Sequence, residues 1–343
     1  MKKYIFLSFV LMLSLCVQAQ LPKKIKSITL ISDTKVTFQL TQDSAHIVLS
    51  SELDTLGIKI YENNQSTDFL YSQIKSIEFY GYIDPLNVNC NNAEDLKKNP
   101  EGWRLEFPRF YQGEDITYEI SHSTPDYGVS YSIEWDGTKR ANRWSCYERY
   151  HNNMVLNYNK RSDAWDQDPN IPIEHSTTWK DYSNSGYSRG HLCPSNDRKC
   201  SYEQNKQTFY YSNMQPQMSG HNTGVWSDLE GYVTYKWSPA NDKDTLYIVK
   251  GGTIDGTNIY KKTLTGMIVP KYFYMALLYF DKSENSYRAL GIWTLHRSTA
   301  TAEYITIDEL EKRTGIDFFC NLPDKIEDAV ESNLDKNKWG IPN

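Results

Sequence analysis

The sequence predicts an α+β fold in which a central antiparallel sheet is flanked by helices and preceded by a small all-β module. Two apolar runs of strand length, "DTLYIVKGG" and "YFYMALLYF", are separated by turn residues and are typical of buried strands. The stretch "VWSDLEGYVTYKW" repeats apolar residues every four positions, as one face of a helix does. Strands and helices do not alternate as they do in βαβ units, so a parallel doubly wound sheet is not expected.

Residues 1–19 have the features of a secretory signal peptide. Two lysines precede an apolar run that ends at Val17, and a Val-Gln-Ala triplet predicts cleavage after Ala19. The apolar run is shorter than the roughly 20 residues of a membrane-spanning helix, so we expect no membrane association after cleavage. A lipoprotein site at Cys16 is disfavoured because the bulky Leu15 precedes it. The expected localisation is therefore secreted or periplasmic.

Three segments follow the predicted signal peptide. Residues 20–82 alternate apolar and polar side chains and predict a small β-rich accessory domain. Residues 83–103 are rich in Asn, Pro and charged residues, which predicts a linker or a wrapping loop. Residues 104–343 are expected to form the main domain.

A helix is predicted near the end of the main domain. Thr306 and Glu309 have the spacing of a capping box at its start, and Gly315 predicts its end.

Loss of Cys16 with the signal peptide leaves an odd number of cysteines in a disulfide-permissive compartment: Cys90, Cys146, Cys193, Cys200 and Cys320. None of their spacings is the C-x2-C of a zinc site, so a metal cage of thiolates is not expected. Two alternatives stay open for Cys193 and Cys200. They form a disulfide that braces the segment between them, or they are two separate buried thiols.

The charge balance argues against a broad basic surface for nucleic acid. The formal net charge is -6, and removal of the two lysines of the signal peptide makes it more negative. Proteins that hold nucleic acid over a wide face usually carry the opposite charge. Any phosphate-binding site must therefore be local.

One stretch rich in Gly, Pro, Ser and aromatic residues contains five polar side chains that suit phosphodiester chemistry: Arg189, His191, Asn213, Asn222 and Glu230. An imidazole titrates near neutrality, so His191 can take a proton from water. The amide oxygen of Asn222 suits a hard divalent cation such as Mg2+, and Arg189 presents a planar donor fork to phosphate oxygens. Glu230 can reach such a metal through its bound waters. These residue types indicate metal-assisted hydrolysis.

The same positions also have purely structural interpretations. Asn213 can build a turn, and Glu230 can lie on a solvated helix face. His221, although it adjoins Asn222, is expected to be an ordinary loop residue.

Two segments, "SRGHLCPSNDR" and "TFYYSNMQPQMSGHNTGVWSDLE", resemble the signature of the DNA/RNA non-specific endonucleases. That family has Asp-Arg-Gly-His, then Ser-Asn, Pro-Gln, an Asn four residues before a Trp, and Leu-Glu. The matching residues are Arg189-Gly190-His191, Ser212-Asn213, Pro216-Gln217, Asn222 with Trp226, and Leu229-Glu230. The segments "VPKYFYMALLYF" and "TIDELEKRTGIDFFCNLP" extend the likeness, which covers about Arg104 to Asn343.

The resemblance implies a ββα-metal nuclease domain, in which a β-hairpin presents the histidine and the following helix carries the metal-binding asparagine. It implies His191 as the general base and Asn222 as the direct ligand of Mg2+, with Mn2+ as an alternative ion. Glu230 would partner metal-bound water, and Arg189 and Asn213 would support phosphate and water placement. The implied substrates are DNA and RNA, cleaved to products with a 5'-phosphate.

Two positions near the motif need separate comment. The family has a second phosphate-binding arginine before the motif, and of Arg140 and Arg143 we favour Arg143. Ser188 stands where the family usually has Asp, and a serine brings no charge to support the neighbouring arginine.

Two other functions stay open from the sequence. One is a catalytically inactive nuclease-like module that binds a surface, against which the retention of His191 and Asn222 argues. The other is a secreted nuclease toxin with an immunity partner, on which the sequence is silent.

Overall fold

The computed structural model describes residues 25–30, 32, 35–37, 57–62, 65–70, 74–79, 92 and 95–342. The chain divides into two compact units, Met1–Pro85 and Leu86–Asn343. The predicted signal peptide and Cys90 lie outside the described residues. Within the described part, no helix is both long and apolar enough to cross a membrane.

Every element described in the first unit is a strand, as the alternating pattern predicts. Strand β1 (Ile25–Leu30) pairs antiparallel with β2 (Lys35–Thr37) on one side and β5 (Ile74–Phe79) on the other. Strands β3 (Gly57–Glu62) and β4 (Gln65–Leu70) pair as an antiparallel hairpin.

The second unit is built on an antiparallel sheet of seven described strands. In spatial order these are β16 (Ala302–Ile305), β15 (Ser286–Leu295), β14 (Tyr272–Asp281), β11 (Thr245–Gly252), β8 (Ala141–Arg149), β7 (Gly128–Asp136) and β6 (Thr117–Thr124). The two runs predicted as buried strands are β11 and β14, which pair along their whole length near the middle of the sheet. Two smaller pairs join β9 (Ser188–His191) to β10 (Met214–Gln217), and β12 (Ile259–Lys262) to β13 (Ile268–Pro270).

Both faces of the large sheet are buried, so apolar side chains predominate on both faces of β14. Successive side chains of a strand point to opposite faces, and β14 accordingly sends Phe273, Met275 and Leu277 to one core and Tyr274 and Ala276 to the other. We call the core that contains Phe273 the site-face core and the core that contains Tyr274 the back-face core. The site-face core also holds apolar residues of the active-site segments: Leu192, Trp226, Leu229 and Val233. The back-face core is completed by Phe107, Phe110, Ile307, Leu310, Phe318 and Val330.

Six α-helices are described, all in the second unit. They are α1 (Trp179–Tyr182), α2 (Tyr202–Gln207), α3 (Ser219–Thr223), α4 (Val225–Gly231), α5 (Ile307–Thr314) and α6 (Asp324–Glu331). The helical stripe predicted from Val225 is α4, continued by a π-helical turn over Tyr232–Lys236.

Helix α5 begins and ends where the sequence predicts. Thr306 accepts a hydrogen bond from the backbone N–H of Glu309 at 3.2 Å, and Gly315 ends the helix with φ of 70°, which favours glycine. The Glu309 carboxylate accepts instead from Arg313, at 2.9 Å. Half of the predicted capping box is therefore formed, because an arginine one turn along the helix competes for the glutamate.

The described part of the predicted linker, 83–103, is packed against the second unit. The side chain of Asn92 is fully buried and donates to the carbonyls of Gly102 and Pro108, at 3.3 and 2.9 Å. It also accepts from the backbone N–H of Phe110, at 2.9 Å. This part of the segment is thus a wrapping loop, and the division between units falls earlier, after Pro85.

The four described cysteines, Cys146, Cys193, Cys200 and Cys320, are buried, and the first three are free thiols. Of the two alternatives for Cys193 and Cys200, the structure has separate thiols. The Cys200 thiol donates to Oε1 of Gln204 at 3.2 Å, so a local contact occupies it. The segment that follows His191 is braced instead by the side chain of Asn213.

Candidate active site

A strand pair followed by two short helices carries the residues of the motif. Strand β9 pairs antiparallel with β10, with His191 opposite Met214 and Gly190 opposite Gln215. A Cβ at Gly190 would lie only 2.2 Å from Oε1 of Gln217, so a side chain there would clash with the neighbouring strand. The chain then turns into α3, which carries Asn222, and α4, which carries Glu230. This is the hairpin-and-helix order that the resemblance implied.

The imidazole of His191 lies between two aromatic rings and is held neutral. Its ring centroid is 5.4 Å from that of Trp165 and 5.1 Å from that of Phe209, both edge to face. Burial lowers the pKa of His191 to about 3, and the charge of Arg161 lowers it further, whereas a hydrogen bond with the Arg189 backbone opposes the change. Its Nε2 is buried with no hydrogen-bond partner in the described part of the chain. A neutral ring nitrogen without a partner is the state that a proton acceptor requires.

Asn213 braces the segment that follows His191. It is fully buried, its Oδ1 accepts from the Cys193 backbone at 2.9 Å, and its Nδ2 donates to the carbonyls of Cys193 and Thr208 at 2.8 and 2.9 Å. Ser145 also donates to Oδ1, at 3.2 Å. These contacts occupy both ends of the amide. In this structure Asn213 therefore fixes the backbone that follows His191, and its expected part in supporting phosphate and water placement stays a prediction.

Neither Arg140 nor Arg143, the two candidates for the second phosphate-binding arginine, has a guanidinium free for that role. Arg143 is only 8% exposed, and its guanidinium donates to Asp115, Asp136 and Asp255 at 3.0, 2.6 and 2.9 Å. The preference for Arg143 is therefore wrong, because strand β8 buries the side chain among three carboxylates that neutralise it. Arg140 is occupied by the Asp181 carboxylate, at 2.9 Å.

A second arginine, Arg161, lines the same cleft as Arg189, and the sequence analysis did not single it out. Its guanidinium carbon lies 4.6 Å from the ring centroid of Phe209, and that of Arg189 lies 3.8 Å from the ring of Trp165. Arg161 is exposed and pairs with the exposed Asp163 at 2.7 Å, a contact that solvent weakens. Its one sequence signal is a Lys-Arg pair shortly before an aromatic residue, in "NKRSDAW".

The two arginines face a cleft of about 510 Å³. Its lining is positive and aromatic: Arg161, Trp165, Trp179, Tyr182, Ser183, Tyr187, Ser188 and Arg189. Arg–aromatic stacking holds a guanidinium plane in place while its N–H groups stay free for an anion. This cleft therefore concentrates positive charge close to His191, which is what a local phosphate site on an acidic protein would require.

The side chain of Glu230 points from α4 toward the large sheet rather than lying on a solvated helix face. Its carboxylate is 3.5 Å from Nζ of Lys250, which is fully buried and also lies near the rings of Tyr147 and Trp226. Burial raises the pKa of Glu230 to about 7, and Lys250 opposes this rise. Lys250 is a second residue that the sequence analysis missed, although a lysine inside the apolar run "DTLYIVKGG" was a signal.

Asn222 and His221 are neighbours in α3 with opposite environments. Asn222 is partly exposed, and in the described part of the chain its side-chain amide has no hydrogen-bond partner. His221 is fully buried, with Nδ1 2.7 Å from Nε2 of Gln217 and Nε2 3.0 Å from the Thr294 hydroxyl. The expectation of an ordinary loop residue at His221 is wrong, because the residue belongs to a helix and packs into the core.

The donor set fits a hard divalent cation. In the described part of the chain, the side-chain amide of Asn222 has no hydrogen-bond partner, and Oε1 of Glu230, although 3.5 Å from Nζ of Lys250, accepts no hydrogen bond. Amide and carboxylate oxygens are the ligands that Mg2+ and Mn2+ prefer.

Comparison with known proteins agrees with this geometry. The sequence profile of the DNA/RNA non-specific endonucleases matches residues 116–325. The mitochondrial nuclease EXOG of Xenopus laevis is 27% identical over 209 residues, which are 57% of this chain and 58% of that protein. A nuclease of a Nostoc species is 30% identical over 222 residues, which are 60% of this chain and 76% of that protein.

A crystal structure of the EndoG/EndoGI complex supports the fold. It matches with a TM-score of 0.52 at 20% identity, over 63% of this chain and 90% of that one. The predicted fold class, an α+β domain of the ββα-metal type around an antiparallel sheet, is thereby confirmed, and that type implies a divalent metal ion. The profile covers more than half of the chain, and the chain therefore belongs to the DNA/RNA non-specific endonuclease family.

Proposed function

We propose that this protein is a Mg2+-dependent endonuclease that hydrolyses phosphodiester bonds of DNA and RNA without strong sequence specificity. The observation that carries the proposal is the placement of His191. Its neutral Nε2, which has no hydrogen-bond partner in the described part of the chain, lies in a segment flanked by the cleft that Arg161 and Arg189 line and by the helices that carry Asn222 and Glu230.

His191 acts as the general base. Its Nε2 takes a proton from a water molecule as the water oxygen bonds to phosphorus, and the bond from phosphorus to the 3'-oxygen breaks. The product strand therefore keeps a 5'-phosphate. Proton transfer of this kind contributes roughly 10²- to 10⁴-fold to the rate. The depressed pKa keeps the imidazole in its accepting form at neutral pH.

Arg161 and Arg189 hold the phosphate group. Both are stacked on aromatic rings, so little side-chain freedom is lost when they bind an anion. Contacts with phosphate groups carry no sequence information directly. This arrangement supports hydrolysis without strong sequence preference on either type of nucleic acid.

Asn222 would hold Mg2+ directly, and Glu230 would hold a water of its hydration shell. When bound, the ion supplies a positive charge that stabilises the charge developing on the phosphate and the leaving oxygen. Mn2+ shares the preference for oxygen ligands and is expected to replace it.

We also propose that residues 1–19 direct export, so that the protein acts in the periplasm or outside the cell. The support is the charged start, apolar run and Val-Gln-Ala triplet of the sequence. Mass spectrometry of the protein from the native host should give a mature chain that begins at Gln20. A chain that keeps Met1 in the cytoplasm would contradict the proposal.

The decisive experiment is cleavage of supercoiled plasmid and of single-stranded RNA, with Mg2+ and with EDTA. The unaltered protein should degrade both substrates with Mg2+ only, and His191→Ala should lose turnover by at least 10²-fold while it still binds nucleic acid. His151→Ala, at an exposed histidine outside the site, is the matched control and should cleave normally.

The same experiment tests the second candidate function, an inactive binding module. Binding without cleavage by the folded, unaltered protein would favour that module. Full activity in His191→Ala would overturn the role of the base.

A further inference from the structure

A cluster of carboxylates lies between helices α5 and α6, at the C-terminal end of the chain. Oxygen atoms of Asp308, Glu311 and Glu331 all lie within 4.8 Å of one another. Two oxygens that bind one Ca2+ at its usual distance of 2.3–2.6 Å are at most about 5 Å apart. The three carboxylates are therefore close enough to share one ion.

Glu331, which contributes an oxygen to this cluster, has one oxygen atom without a hydrogen-bond partner in the described part of the chain. Its side chain is 6% exposed, and Oε1 is buried without a hydrogen-bond partner. Glu311, by contrast, accepts from the backbone N–H of Phe318 at 2.7 Å. A buried polar atom without a partner costs about 1–3 kcal/mol, and more when it is charged, so the carboxylate of Glu331 requires either a proton or a cation.

The surroundings of Glu331 add negative charge. Burial raises its pKa to about 10, and the carboxylates of Glu311, Glu327 and Asp317 contribute in the same direction. Glu331 is also the last residue of α6, whose final turn holds no basic residue, so its charge lies at the negative end of the helix dipole. Asp308 is exposed, which leaves a way in from solvent.

We propose that Asp308, Glu311 and Glu331 bind one Ca2+ ion, which joins α5 to α6 and stabilises the fold. Ca2+ takes six to eight oxygen ligands in a flexible arrangement, and carboxylates and water together supply them. Mg2+ is less suitable, because it demands an octahedral arrangement and gives up its waters reluctantly.

This site is separate from the candidate active site. Ile307 and Leu310 of α5 and Val330 of α6 pack in the back-face core, whereas Trp226 and Leu229 of α4 pack in the site-face core. The large sheet lies between the two cores, so the inference does not depend on the proposed nuclease mechanism.

The test is thermal unfolding and calorimetric titration of the full chain with Ca2+. Both are done on an Asn222→Ala protein, so that an ion at the candidate active site does not contribute. We expect one Ca2+ per chain and, at about 100 times Kd, a rise in Tm of about 5 to 10 °C. Asp308→Asn should weaken Ca2+ binding at least tenfold, and Glu331→Gln should abolish it.

Asp242→Asn, at an exposed acid of a loop, is the matched control and should keep the full rise. If Glu331→Gln fails to fold, Asp308→Asn decides, because an exposed residue is replaced at little cost. Absence of a Ca2+-induced rise, or an equal rise in Asp308→Asn and Asp242→Asn, would overturn the proposal and leave Glu331 as a protonated acid.

Discussion

At the scale of single residues, the carboxylates within reach decide which arginines are available to bind phosphate. Arg143 is surrounded by three acids and serves the structure, whereas Arg161 and Arg189 rest on aromatic faces beside the base. Ser188, where the family usually has Asp, lines the same cleft. A serine there leaves Arg189 without an acidic neighbour at that position.

Replacing Arg161 should weaken nucleic-acid binding through the phosphate groups. We expect Arg161→Ala to raise Kd about tenfold for DNA and RNA alike and to reduce the slope of log K against log salt by about 0.7 to 0.9. The measurement is fluorescence anisotropy over a salt series, in EDTA to prevent cleavage.

Lys160→Ala is the matched control, since it removes the adjacent positive charge from a residue that does not line the cleft. It should change the slope much less. Equal changes in the two variants would show that Arg161 acts only through general charge.

How far the site could be predicted is clear at this scale. Arg189, His191, Asn222 and Glu230 lie in one motif, so their spacing in the sequence was informative, and the fold places them on one hairpin and the two helices that follow it. Arg161 reaches the cleft from a distant loop, and nothing local distinguishes it from Arg143. Only the tertiary fold shows which of the two is neutralised.

At the scale of elements, the large sheet supports the site through one buried ion pair. Side chains alternate along β11, so Lys250 points to the same face as Leu246 and Ile248 and lies against α4. A π-helical turn follows α4, and its Thr234 donates to Asp197 at 2.7 Å. The sequence predicted both β11 and α4. It did not predict that Lys250 of the strand and Glu230 of the helix would form an ion pair.

Breaking the Lys250–Glu230 ion pair should lower stability, and a second substitution should distinguish this effect from the effect on activity. We expect Lys250→Met to destabilise the protein by about 3 kcal/mol, because it leaves the Glu230 carboxylate buried without its partner. Urea unfolding of the single variant and of the double variant with Glu230→Gln measures the effect.

The double variant should regain much of the stability, since neither group is then charged, but none of the cleavage activity. Recovery of activity would contradict the placement of Glu230 at the metal. Equal stability of the single and double variants would show that the pair is not coupled.

At the scale of the whole molecule, buried acids make stability depend on pH. Glu134 in β7 is 1% exposed and accepts from the backbone N–H of Tyr111 at 2.8 Å, and burial raises its pKa to about 8. The folded protein therefore keeps this proton between about pH 4.5 and 8, whereas the unfolded chain releases it. Folding stability from this group is present at low pH and lost as pH rises through that window.

Glu134→Gln should remove this loss. Relative to the unaltered protein, the variant is expected to gain on the order of 3 kcal/mol in free energy of unfolding between pH 5 and pH 8.5, since glutamine keeps the acceptor and cannot ionise. Urea unfolding at both pH values, in EDTA, measures the difference.

Glu203→Gln, at an exposed glutamate of α2, should show no such dependence. A difference between Glu134→Gln and the unaltered protein that stays constant with pH would contradict the prediction.

The alternation of side chains along the central strands has a consequence for how this unit unfolds. Consecutive residues of β14, such as Phe273 and Tyr274, belong to different cores. Unfolding of this strand therefore removes packed side chains from both cores at once. Neither layer of helices can detach as an independent folding unit while β11 and β14 stay in place. We therefore expect His191, the cleft that Arg161 and Arg189 line, and the carboxylate cluster of the opposite face to unfold in one cooperative transition, so that a ligand bound at either face raises the melting temperature of both.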